Sequence, residues 1–183
     1  MKLKTDRLSI RPFVENDIED TYEIYSDENV CKYLLEDKWD QTDKDKEFNK
    51  KVNNNVLCQG SSLSLAVLLN EKVIGDISVW YTDMKQTVEI GFVFNPKFSK
   101  KGYAKESVKA VIFELFGKYN IHRIQANLDA RNTASANLCN NLGMRKEAHF
   151  IKDYWNKGEW TDSYVYGMLK NDIPNNDKEQ RLY

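Results

Sequence analysis

Asn95-Pro96-Lys97-Phe98-Ser99-Lys100-Lys101-Gly102-Tyr103-Ala104 is the stretch where an alternating, strand-like run breaks into a basic turn and a helix begins. The first backbone N–H groups of a helix have no partner inside it, and the macrodipole adds partial positive charge there. Such a helix start binds anions. Gly102 has no Cβ, so a bulky phosphate can approach its backbone. Lys100 and Lys101 bring full positive charges. The stretch reads as a pyrophosphate cradle and suggests a nucleotide-bearing cofactor. Taken alone, the two lysines also fit a solvated turn.

Upstream of the cradle the period is two. Val88, Ile90, Phe92 and Phe94 fall on one face of a strand, and Thr87, Glu89, Gly91 and Val93 on the other. Before it, Leu63, Leu65, Val67 and Leu69 alternate in one run, and Val73, Ile77, Val79 and Tyr81 in the next. Asn70-Glu71-Lys72 between them predicts a tight hairpin, with Gly75 marking a bulge or a close approach. Leu8 and Ile10 alternate with Ser9 and Arg11 in a first strand reaching toward Pro12. Ile18, Tyr22 and Tyr25 lie at helical spacing over 17–25, and a second helix is expected within 42–57, capped by Thr42 or Asp43.

Downstream, Ala104, Val108, Val111, Ile112, Leu115 and Phe116 make one stripe of a helix that Gly117 would end. A strand over 121–128 follows, then a helix over 132–142 opened by Asn132 and closed by Gly143. Strands over 144–154 and 163–169 are joined through Asn156-Lys157-Gly158. The sum is an α+β domain with a mostly antiparallel sheet and helices on its faces. One domain is expected over 1–170, with a polar tail over 171–183.

A chain of 183 residues fits one domain with a sizeable core. Its net charge of -1 argues against nucleic acid as the main partner. The longest apolar runs are strand-sized, so no membrane span is expected. Met1-Lys2-Leu3-Lys4-Thr5-Asp6-Arg7 lacks a signal-peptide core, and a cytoplasmic protein is expected. Cys31, Cys58 and Cys139 are odd in number and widely spaced, which suits reduced thiols. His122 and His149 are the only histidines. No Cys/His spacing suggests zinc, and no metal is expected.

The chain has no G-x-x-x-x-G-K-[ST] and no G-x-G-x-x-G. What it has is an ordered combination. The strand Val88-Glu89-Ile90-Gly91-Phe92-Val93-Phe94-Asn95-Pro96 runs into Lys101-Gly102-Tyr103-Ala104. Asn132-Thr133-Ala134-Ser135 follows, and then Asn141-Leu142-Gly143-Met144. On these residues the chain resembles the GNAT superfamily of acetyl-CoA-dependent N-acetyltransferases. Thr5-Asp6-Arg7-Leu8-Ser9-Ile10-Arg11-Pro12 and Gly158-Glu159-Trp160-Thr161-Asp162 are similar to the branch holding ribosomal-protein-alanine N-acetyltransferases and many small-amine acetylases. The resemblance covers residues 5–170. It implies a three-layer α/β/α GNAT-like fold with a mixed, mostly antiparallel twisted sheet. It also implies acetyl-CoA as co-substrate and an amine acceptor, either a protein N-terminus or a small amine. A homodimer, as in related enzymes, is among the states it implies.

The resemblance also assigns residues. The family's pyrophosphate loop, Q/R-x-x-G-x-G/A, falls on Ser99-Lys100-Lys101-Gly102-Tyr103-Ala104, with Ser99 in place of the usual Gln or Arg. Backbone N–H groups over 100–104 would hold the pyrophosphate of coenzyme A. Phe92, Val93 and Phe94 lie where the family's strand pairs with the pantetheine arm. A splay there leaves an N–H to polarise the thioester carbonyl. Asn132 and Ser135 match positions that contact the coenzyme.

Acetyl transfer requires the amine to lose a proton, since an ammonium of pKa ~10 is not nucleophilic. Glu89 is the candidate base, placed near the acceptor by the resemblance; the other reading is an edge-strand carboxylate in a salt bridge. For the acid, many GNAT enzymes carry a Tyr where this chain has Cys139. Ser135, one helical turn earlier, is favoured over Cys139. Unassisted departure of a thiolate, of pKa ~8.5, is a further route. The acceptor wall is expected from the first two helices and the late hairpin. Glu28, Glu36, Asp37 and Asp40 either line it, suiting a cationic polyamine or aminoglycoside, or face water. Trp39, Trp155 and Trp160 either shape that pocket or serve as core. The rival class is a catalytically silent coenzyme A-binding sensor, against which the retained Glu89 argues.

Overall fold

Among the described residues, the alternating runs and one short added strand make eight strands of one sheet. They are β1 (Leu3–Lys4), β2 (Ser9–Pro12), β3 (Ser62–Leu69), β4 (Lys72–Tyr81), β5 (Thr87–Phe94), β6 (Arg123–Asp129), β7 (Arg145–Asn156) and β8 (Glu159–Leu169). A computed structural model describes residues 1–173. The order across the sheet is β1-β2-β3-β4-β5-β6-β8-β7. Neighbours are antiparallel except β5 and β6, which are parallel. The connection between those two is the helix α4 (Tyr103–Lys118).

Helices cover both faces. On one face Val108, Val111, Ile112, Leu115 and Phe116 of α4 pack against Leu65, Val67, Ile77, Val79, Val88 and Ile90. Each such side chain contributes about 1.5–3 kcal/mol on burial, so this stripe anchors α4 firmly. The helix α5 (Thr133–Asn141) adds Ala136 and Cys139 to the same core. On the other face lie α1 (Ile18–Tyr25), α2 (Glu28–Cys31) and α3 (Lys44–Asn53). Ile24, Tyr25 and Phe48 pack there against Ala66, Leu68 and Val73. The result is the expected α+β, three-layer α/β/α arrangement.

The β3–β4 hairpin turns through Asn70 (φ 48°) and Glu71 (φ 67°), both left-handed, as a two-residue loop of the twisted type demands. The register then steps from Val67↔Gly75 to Leu68↔Val73, so Ile74 is the extra residue of a bulge. A Cβ on Gly75 would stand 2.3 Å from the Phe94 ring, so this position requires glycine.

Several elements differ from the sequence expectation. α4 does not stop at Gly117; it runs to Lys118, and Asn120 (φ 51°) supplies the left-handed residue beyond its end. Burial of Leu115 and Phe116 outweighs the roughly 1 kcal/mol that a helical glycine costs. The strand β1 and the single-turn α2 carry too few residues to show a period. The late strands reach further than expected, to Asn156 and from Glu159, and a Trp155–Trp160 ring pair (centroids 5.5 Å apart) closes their tip. The expected tail lies, over 174–183, outside the described residues. Its first residues are fixed: Asp172 pairs with Arg145, and Ile173 is buried in the core.

Candidate active site

β5 and β6 pair only over Thr87↔Arg123, Val88↔Ile124 and Glu89↔Gln125. Beyond Glu89 they part. β5 stays with β4 as far as Phe94, and β6 stays with β8 as far as Asp129. A wedge opens between them, edged by backbone groups without a strand partner. The chain leaves β5 for α4 and leaves β6 for α5, so both helices begin near the diverging carboxyl ends. In sheets with parallel strands, that is where ligands bind.

The mouth of α4 is built from backbone. Asn95 accepts a bond from the amide of Lys97 (3.0 Å) and caps a short turn over Pro96–Phe98. Lys100 (φ 59°) and Gly102 (φ 83°) are both left-handed. The first helical bond runs from the Glu106 amide to the Gly102 carbonyl (3.0 Å). Among the described residues, the amides over 100–105 have no backbone acceptor. Such a run of unmatched donors fits a diphosphate.

A residue far off in sequence braces this mouth. Arg7 donates from Nη1 to the Lys101 carbonyl (3.0 Å), pairs with Glu106 (2.6 Å) and lies over the Tyr103 ring (4.5 Å). The Thr5 hydroxyl donates to the same Glu106 (2.6 Å). From the sequence, Thr5-Asp6-Arg7 counted only as part of a resemblance; its contacts give it a physical role.

A cavity of about 630 Å³ occupies the wedge. Glu89 lines it, accepting from Gln125 Nε2 (3.0 Å) and Asn127 Nδ2 (2.6 Å) across the split. Burial pushes its carboxyl above the usual range, and the two amide donors pull the other way without cancelling it. Both partners are neutral amides, so the salt-bridge alternative does not describe this carboxylate.

Phe92 and Val93 line the cavity, whereas Phe94 packs on Gly75. The residues Ser99, Lys100, Lys101, Gly102, Tyr103 and Ala104 sit beyond β5 at the α4 mouth and do not line it. Asn132 and Ser135 both do. Asn132 caps α5 by accepting from the Ser135 amide (3.0 Å). Cys139 is separated from them. It is fully buried beside Ala136 and Leu142, and burial pushes its thiol up to about 12. One turn along α5, the face that met the cavity has passed into the core.

The opposite bank carries groups that sequence reasoning missed. Asp76 is 2% exposed and accepts from Lys51 Nζ (2.6 Å) and the Tyr25 hydroxyl (2.7 Å). Burial, and next the Asp76 charge, hold the Tyr25 phenol well above its ordinary pKa, so it remains a donor. Trp39 stacks on Tyr25 (4.6 Å) and is core. Tyr25, Lys51 and Asp76 all line the cavity. The available signal was a lone acid, Asp76, within an apolar strand. Of the acidic residues expected there, Glu36 lines the cavity, while Glu28, Asp37 and Asp40 are exposed outside it. Asp129 and Asp153 line it too. Trp155 and Trp160 are exposed on the hairpin.

A sheet split between parallel strands, a helix mouth of unmatched amide donors and a half-buried carboxylate in the split are together the frame of an acyltransferase domain. Known proteins make the class specific. The family model described as an acetyltransferase (GNAT) domain matches residues 7–145. The N-acetyltransferase YnaD of Bacillus subtilis (strain 168) is 35% identical over 172 residues, covering 93% of this chain and 98% of that protein. A crystal structure of an acetyltransferase (GNAT family) from Bacillus anthracis matches with a TM-score of 0.84 at 33% identity, over 93% of this chain and 99% of that one. The spermidine N-acetyltransferase from Vibrio cholerae, in complex with CoA and spermine, shares the fold at a TM-score of 0.74 and 18% identity, over 92% and 98% of the two chains. The chain belongs to the GNAT acetyltransferase family and is an N-acetyltransferase.

Proposed function

We propose that the enzyme moves an acetyl group from acetyl-CoA to a primary amine by direct attack of the amine on the thioester. The observation that carries this reading is Glu89, a carboxylate held half-buried where β5 and β6 part. The amides over 100–104 would hold the diphosphate of the co-substrate. The free edge of β5 beside Phe92 and Val93 would take its pantetheine arm as an added strand. Glu89 removes the proton of the incoming ammonium, directly or through water, and a raised pKa suits that task near neutral pH. Ser135 lines the same cavity and is the candidate to protonate the departing thiolate; the burial of Cys139 speaks against that residue.

The lining favours a small cationic amine. Glu36, Glu89 and Asp153 face the cavity, and Lys51, its one lining lysine, is already matched by Asp76. A protein α-amine is the other acceptor that the sequence admits. The exposed free thiol of Cys58 suits a reducing compartment, in keeping with a cytoplasmic enzyme.

Thiol release from acetyl-CoA with a panel of amines is the test. Wild-type protein should turn over at least one cationic amine, with a rate that falls as pH drops through a midpoint above the usual carboxylate value. Glu89→Gln should still bind acetyl-CoA while kcat falls by roughly 10²–10⁴. Full activity in that variant would remove Glu89 from the mechanism. Binding of acetyl-CoA without turnover of any amine by wild type would favour the silent-sensor alternative.

A further inference from the structure

The tip of the β7–β8 hairpin is tied across the cavity to the segment that leaves α2. Lys157 Nζ donates to the carbonyl oxygens of Cys31 (2.6 Å) and Glu36 (3.0 Å). The same ammonium lies 3.7 Å from the Asp37 carboxylate. Beside it, Asn156 Nδ2 donates to the Leu34 carbonyl (3.3 Å). A second tie runs from the other strand of the hairpin. Glu159 accepts from Arg131 (2.7 Å), whose guanidinium lies over the Tyr33 ring (5.7 Å). Residues 32–37 form no helix or strand, and the hairpin bonds two of their carbonyls, those of Leu34 and Glu36.

The two-residue turn at the clasp demands left-handed backbone at both of its central positions. Lys157 stands at φ 50° and Gly158 at φ 83°, the two central residues of the turn. Asn or Gly is the usual occupant of the first of these positions, and a lysine there is uncommon. The turn does not itself call for lysine, which leaves the side chain free for another use. Here the use is visible, because the ammonium reaches two carbonyls on the opposite bank.

Those banks flank the acceptor half of the wedge. Tyr33, Leu34 and Glu36 on one side, and Tyr154 and Asn156 on the other, line the same cavity as Glu89. The spacing between them is therefore set by the clasp. We propose that Lys157 is a specificity-determining residue, a role that rests on the acetyl-transfer reading above. By holding the two banks together, it admits a primary amine on a slender, unbranched chain to Glu89 and refuses one attached to a bulky cage or ring.

Lys157→Asn tests this without threatening the fold, since Asn-Gly is the preferred pair for such a turn. Two acceptors of equal charge, hexane-diamine and a bis(aminomethyl)adamantane, are compared by thiol release. The variant should keep its Tm and its KM for acetyl-CoA, while the kcat/KM preference for the slender diamine falls about tenfold. Lys157→Arg, which retains a cationic donor, should keep most of the preference. Hydrogen exchange at the amides over 32–37 should quicken by about tenfold in Lys157→Asn. An unchanged preference, or unchanged exchange over that segment, would overturn the clasp. If wild-type protein acetylates no amine at all, the functional reading falls and takes the acceptor claim with it. Transfer with an unaltered preference sinks the clasp alone.

Discussion

At the mouth of α4 the donors are main-chain amides, set by two left-handed residues, Lys100 and Gly102, and the two lysines there are exposed. On the opposite bank the polar groups are side chains, Tyr25, Lys51 and Asp76, drawn from three elements, with Tyr25 and Asp76 buried. The donors of the first half lie within ten consecutive residues, with Arg7 bracing them from a distance. The second depends on partners 25 and 51 positions apart in the chain. Where backbone does the work, side chains are exchangeable as long as φ is kept. Where buried side chains do it, each is needed for the charge balance of the others.

That contrast breaks most visibly at Asp76. Asp76→Ala leaves the Lys51 ammonium with 11% side-chain exposure and no carboxylate, which should cost about 3–5 kcal/mol of stability. Urea unfolding would read it as a lower midpoint at unchanged m-value. Adding Lys51→Met should return part of the loss, because the stranded charge is then gone. A loss under about 1 kcal/mol for Asp76→Ala would mean that water already reaches the pair.

A smaller effect is expected at the mouth of α4. Gly102→Val puts a branched side chain at φ 83°, with its Cβ 3.4 Å from Arg7 Nη2. Strain of about 1–3 kcal/mol should either distort the turn or be relieved by local opening. Calorimetry with acetyl-CoA should show affinity lower by roughly ten- to a hundredfold. Undiminished affinity would show that these amides are not the anchor. The smallest change is expected for Lys101→Ala, an exposed charge worth about 0–1 kcal/mol and further screened by salt. A loss above a hundredfold there would reverse the contrast and make the cradle a side-chain site.

Legibility followed the range of the interactions. β5 and α4 were readable because a period of two, a glycine and a period of 3.6 follow one another within a short window. Asn132 declared itself as a cap in the same local way, and its side chain does accept from the Ser135 amide. Gly117 misled, since its flexibility is a local trait and the burial of Leu115 and Phe116 is not. Cys139 could not be placed from spacing alone. Helical periodicity puts it on the face of Ser135, and only the packing of α5 decides that this face leaves the cavity between them. Lys157 looked like one residue of a polar turn; its partners on the 31–37 segment lie more than a hundred positions away.

The order of the longer strands and helices, the glycine-marked start of α4 and the carboxylate in β5 follow from the amino-acid sequence. Each arises from forces between near neighbours along the chain: backbone hydrogen bonding, side-chain alternation and the steric freedom of glycine. The depth of the wedge, the lysine–aspartate pair on its floor and the clasp across the cavity were decided by the folded molecule. They depend on charges and carbonyls brought together from distant segments, and no local periodicity encodes which of those will meet.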